Sequence, residues 1–87
     1  MLYKFTVIVQ EGEYENRYDQ LVEAKNFNEA YEKADRYVRN FYGDSRAQKI
    51  GDSQYSFFGG ELICSMEGLC KTTKEEWIQE QFDLAMI

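Results

Sequence analysis

Hydrophobic and polar residues alternate with a period of two over the first ten positions. Tyr3, Phe5, Val7 and Val9 fall on one side, and Leu2, Lys4, Thr6, Ile8 and Gln10 fall on the other. With this much β-branched and aromatic content, that period predicts a strand, because successive side chains of an extended chain point to opposite faces. The stretch EGEYEN at 11–16 is polar and contains a glycine, and it predicts a hairpin connection. Residues 17–24 then form the return strand. Tyr18, Val22 and Ala24 face the core, and Arg17, Asp19, Leu21 and Glu23 take the other face.

The period changes at Asn26. Glu29 follows it three residues later, the spacing of a capping box, in which the Asn oxygen accepts a helix-start N–H. Phe27, Ala30, Tyr31, Ala34, Tyr37, Val38, Phe41 and Tyr42 recur at steps of three and four and define a core stripe. Glu29, Glu32, Lys33, Asp35, Arg36 and Arg39 fill the opposite face, where Glu29–Lys33, Glu32–Arg36 and Asp35–Arg39 are spaced as ion pairs on a solvent face. Gly43 supplies the left-handed residue that ends the helix.

Residues 44–54 admit two readings, a loop or a short strand around Ile50 with a turn at Gly51–Asp52. YSFF and ELICSM, separated by Gly59–Gly60, predict a second hairpin, and Gly68 a bend or bulge in its last strand. Thr73 and Glu76 give a second capping box, which opens a helix carrying Trp77, Ile78, Phe82 and Ala85.

The order is β-β-α-β-β-α. It predicts an α+β fold over a single domain, 1–87: an antiparallel sheet of four or five strands packed with two helices, in two layers. Phe5, Phe27, Tyr37, Phe41 and Trp77 are assigned to the core, while Tyr3, Tyr14 and Tyr55 stay unassigned. Ile8, Leu21, Phe58 and Ile63 fall on the strand face away from the core, and a solvated face would not need them. Either the second helix covers that face or another chain does, which admits a homodimer.

Charge narrows the partners. A formal net charge of −6 argues against direct binding of nucleic acid or an anionic membrane, because neither association would gain from counterion release. It suits a basic partner, and it also suits simple solubility. No apolar run reaches the length of a membrane span, and the opening MLYKFTVIVQ shows no signal cleavage pattern, so the expected location is the cytoplasm. Cys64 and Cys70 are accordingly expected as reduced thiols.

The candidate chemistry is sparse. The chain has no histidine, the commonest general base and metal ligand. The densest acids, Glu75–Glu76 and Glu11/Glu13/Glu15, read as solvated surface charge. Cys64 and Cys70 lack further ligands for zinc, and Cys64 shares its strand face with Leu62 and Met66, as a small buried hydrophobe would. The glycines of FFGGE join two strands, whereas a phosphate cradle joins a strand to a helix. No catalytic residue, metal or cofactor is expected, and the chain does not read as an enzyme.

What remains is recognition. Seven Tyr, six Phe and one Trp are more rings than so small a body can enclose, so some must serve the surface. The candidate partner-binding residues are Glu11, Glu13, Tyr14 and Glu15 at the first hairpin, with Asp19 and Glu23 continuing along the return strand. Tyr14 would give contact area, and the acids would steer toward a basic protein surface, such as one that otherwise binds nucleic acid.

The segment 2–43 is a hairpin followed by LVEAKNFNEAYEKA, with an alanine, a capping polar residue and an E-A helix start. It resembles the opening of small acidic α+β proteins of phages and mobile elements, anti-CRISPR inhibitors among them. The resemblance covers about half the chain and carries over no functional residue. It implies a stoichiometric inhibitor or adaptor that binds a larger protein or nucleoprotein assembly without chemistry. The alternative is a small structural or assembly protein acting as a homo-oligomer.

Overall fold

The computed structural model describes residues 1–43 and 47–85. Strands β1 (Leu2–Glu11) and β2 (Tyr14–Glu23) pair residue for residue up to Glu11–Tyr14. Only Gly12 and Glu13 lie between them, a tighter turn than the polar run suggests. Gly12 takes a φ of 60°, the left-handed first position of a type II′ turn, whose twist matches that of the strands it joins. Helix α1 (Phe27–Arg39) follows, then β3 (Gln48–Gly51), β4 (Gln54–Phe57), a short turn at Phe58–Gly60, β5 (Leu62–Thr72) and helix α2 (Lys74–Ala85). All pairings are antiparallel, and the five strands are ordered β2-β1-β5-β4-β3. The α+β expectation holds in its five-strand form. Residues 48–51 are a strand, and 44–46 lie outside the described residues.

The β1–β5 register slips between Lys4 and Thr6, where Gly68 and Leu69 together oppose Phe5. Gly68 has a φ of 71°, so this is the expected bulge, built on a residue that tolerates left-handed backbone.

The two helices lie on opposite faces of the sheet, so the fold has three layers instead of the expected two. Helix α1 covers the face of Phe5, Val7 and Val9, which pack with Ala34, Val38, Tyr55, Phe57 and Cys64 in the main core. Helix α2 crosses the other face, where Glu80 pairs with Lys4 and Gln81 donates to Asp19 at 3.5 Å. Lys4, Thr6 and Asp19 give that helix a polar seat, and Trp77 is half-buried there. Ile78 and Phe82 therefore point to solvent instead of joining an apolar stripe, and the Ala85 side chain lies outside the described residues. Ile8, on the same sheet face, is only 8% exposed. The Arg17–Glu67 ion pair joins β2 to β5 across β1 beside it.

Only Ala30, Ala34 and Val38 of α1 are buried. These small side chains let the helix axis approach the sheet, and the larger rings of the stripe are displaced to its flanks. Phe27 and Tyr37 are exposed, contrary to their core assignment, and Phe41 and Trp77 are only half-buried. The helix ends at Arg39 with Asn40 as its cap, so Phe41 and Tyr42 sit in the following turn, which closes on left-handed Gly43. Both expected N-caps form: Asn26 Oδ1 accepts from the Glu29 N–H at 2.9 Å, and Thr73 Oγ1 from the Glu76 N–H at 3.1 Å. Asn26→Ala should lower stability by about 1 kcal/mol in a urea melt.

Cys64 is fully buried and Cys70 exposed, both as free thiols. Burial pushes the Cys64 thiol up to about 11. A chromogenic disulfide reagent at neutral pH should titrate one thiol quickly in the native protein and the second only on unfolding. Two fast thiols would contradict this placement of β5.

Candidate binding surface

The first hairpin places Glu11, Glu13 and Tyr14 together at its tip, all exposed. Glu11 and Tyr14 are direct cross-strand partners, so they share the α1 face of the sheet. Glu15, Asp19 and Glu23 lie on the opposite face, opposite Gln10, Thr6 and Leu2. Their charges are partly engaged. Glu15 lies 4.0 Å from Arg17, and Asp19 accepts from Thr6 Oγ1 at 2.8 Å as well as from Gln81. The Glu23 backbone carbonyl accepts from Lys33 Nζ at 2.8 Å. The six sequence-derived residues thus form a tip, Glu11–Tyr14, and a separate acidic row on the other face.

On the Tyr14 face the structure adds a surface that strand and helix periods alone did not reveal. Tyr18 of β2 meets Phe41, with ring centres 5.9 Å apart. Phe41 contacts Tyr37 at 6.0 Å and Tyr42 at 5.2 Å, and Tyr42 contacts Phe58 at 5.8 Å. Two members reach into the core: Tyr37 packs edge-on against Phe5 at 5.8 Å, and Tyr42 against Phe57 at 5.1 Å. Burial pushes the Tyr42 hydroxyl above its usual range, so it stays neutral in this apolar setting. The outer rings are open to solvent: Tyr14 is 78% exposed, Phe58 56%, Tyr18 45% and Tyr37 42%. An open hollow of about 720 Å³ lies beside them, lined by Lys33, Arg36, Tyr37, Asn40 and Phe41. The surface therefore has acids at its hairpin end and cations along α1.

Phe58 was expected on the second sheet face. It instead leaves the strand with a φ of 54°, and its ring turns to Tyr42. The clue was the Phe57–Phe58 doublet followed by two glycines. Adjacent strand residues cannot both face one core, and Gly59 and Gly60, both at positive φ, turn the chain there.

Asp35 also departs from its expected place on the solvent face of α1. Its carboxylate accepts from Ser53 Oγ at 2.9 Å and from the Tyr55 hydroxyl at 2.8 and 2.9 Å. Both donors are buried, and the bonds tie α1 to the β3–β4 turn and to β4. This half-buried cluster holds structure. Glu29–Lys33 forms as expected, at 3.2 Å.

Among the described residues no group of three or more His, Cys, Asp or Glu side chains could hold a metal ion. Among them, too, no helix is long and apolar enough to cross a membrane. Comparison with protein-family models, curated proteins and solved structures found no match.

Proposed function

We propose that this is a non-enzymatic binding protein, an inhibitor or adaptor of the phage type. On this reading its Tyr14–Tyr18–Tyr37–Phe58 surface docks on a larger protein or nucleoprotein assembly in the cytoplasm. The observation that carries the reading is the run of ring contacts from buried Phe5 and Phe57 out to exposed Tyr18, Tyr37 and Phe58. Contiguous exposed apolar surface of this kind marks interaction sites. Rings already held by core neighbours lose little entropy on binding, and aromatic anchors dominate interface energetics. Glu11 and Glu13, beside Tyr14, would steer the tip toward a basic patch on the partner.

The test uses two variants against any partner the wild type binds. Tyr37→Ser/Phe58→Ser removes outer rings while keeping Phe5 and Phe57, and it should weaken binding at least about tenfold, or 1.4 kcal/mol. Reversing Glu11, Glu13 and Glu15 to Lys should slow association, more so at low salt, where charges are less screened. Unchanged affinity in both variants would place the contact elsewhere.

A further inference from the structure

Among the described residues strand β2 is the long free edge of the sheet. It has no proline, and its register with β1 is continuous, so it lacks two common defences against edge pairing. A two-residue type II′ hairpin makes its flanking pair, Glu11 and Tyr14, a hydrogen-bonded pair. By alternation Glu15, Arg17, Asp19, Leu21 and Glu23 turn their backbone N–H and C=O groups away from β1, toward the open edge.

We propose that a second copy of this chain occupies that edge, β2 against β2 in antiparallel register about a twofold axis at Tyr18. Side-chain chemistry selects this register. With Tyr18 opposite itself, Arg17 faces Asp19 of the second copy, and symmetry makes the pair twice. Tyr14 faces Val22, Asn16 faces Gln20, and Glu15 faces Leu21. Centring on Arg17 sets Arg17 against itself and Glu15 against Asp19. Centring on Asp19 sets Asp19 against itself and Glu15 against Glu23. Like charges directly opposite are unfavourable in both. Centres at Asn16 or Gln20 keep an Arg17 pair but shorten the ladder from residues 14–22 to 14–18 or 17–23. Arg17 remains half-exposed while paired with Glu67, and its five donors leave capacity for Asp19 of the second copy. The pairing brings the two Tyr18 rings together, each already against its own Phe41, so one seam covers both open backbone and exposed ring. This dimer does not rest on the partner-binding reading: it takes Tyr14 and Tyr18 of β2 into its own seam and leaves Tyr37 and Phe58, which are not on β2, to a partner.

A cysteine scan in a Cys70→Ser background tests it. Two residues facing each other on the axis have Cα atoms within disulfide reach. Under mild oxidation Tyr18→Cys should give covalent dimer at least about tenfold faster than Asn16→Cys or Gln20→Cys alone, while mixing those two should cross-link them. Arg17→Glu should weaken the dimer about tenfold in sedimentation equilibrium, and Arg17→Asp/Asp19→Arg should restore it, because the swapped charges meet again across the seam. Circular dichroism of each variant separates a lost dimer from a lost fold. A wild-type mass of one chain at every concentration, or equal cross-linking at positions 16, 18 and 20, overturns the proposal.

Discussion

Phe57→Ala is expected to cost about 3–5 kcal/mol, the large-to-small loss of a fully buried aromatic. A domain of this length has roughly 4–13 kcal/mol in total, so the variant should be partly unfolded at physiological temperature. Phe57 has no exposed surface, sits in the main core and supports the Tyr42 ring from below. Phe41, which its helical spacing assigns to the same core, is a useful contrast. It is half-buried in the turn after α1, so Phe41→Ala should cost only about 1–2 kcal/mol. Urea melts of the two variants should separate clearly. Equal losses would mean that the turn at 40–43 is packed more deeply than the structure shows.

Asp35→Ala is expected to cost about 2–4 kcal/mol, although it removes only one half-buried side chain. Among the described residues every buried side-chain polar atom has a hydrogen-bond partner. Removing this carboxylate strands two hydroxyls, those of Ser53 and Tyr55, which are 2% and 4% exposed. Tyr55→Phe should cost less, about 1–2 kcal/mol, because Ser53 keeps its acceptor. Asp35→Ala should also cost less in that background, the signature of a shared network in a double-mutant cycle. The same cluster sets an alkaline limit. Burial first, and then the hydrogen bond to Asp35, pushes the Tyr55 hydroxyl up to about 12 from an ordinary 10.0. The native state therefore holds this proton where the unfolded chain releases it. Its contribution is fully present below pH 10.0 and is lost as pH rises toward 12, and Tyr55→Phe should flatten that part of the stability profile.

Local patterns carried most of the fold. The period-two runs of β1 and β2, the two N-caps and the Gly68 bulge are set by neighbouring residues and all form, although β2 starts at Tyr14, inside the stretch read as the connection. What local pattern could not carry was the depth of each ring and the side of the sheet taken by α2. Helical spacing placed Phe27, Tyr37 and Phe41 on one inward stripe, but the close seat of Ala30, Ala34 and Val38 on the sheet left Phe27 and Tyr37 at the margins of α1, and Phe41 falls in the turn beyond its end at Arg39. Asp35 was misplaced because its partners, Ser53 in the β3–β4 turn and Tyr55 in β4, are remote in sequence. For α2 the deciding partners were polar, Lys4 and Asp19, and an apolar stripe was the wrong signal to follow. The acidic tip was legible as charge beside an aromatic. The joining of Tyr18 to a ring cluster from α1, the turn after it and the β4–β5 turn depends on tertiary packing.

The most direct test of the binding surface is an amide hydrogen-exchange footprint of the complex with a partner that the wild-type protein holds. Slowed exchange is expected at the hairpin tip from Glu11 to Tyr18, at Arg36 to Tyr42 and at Phe57 to Glu61, the three segments that the ring contacts bring together. Protection confined to α2 or to β3, with those three segments exchanging as in the free protein, would contradict it.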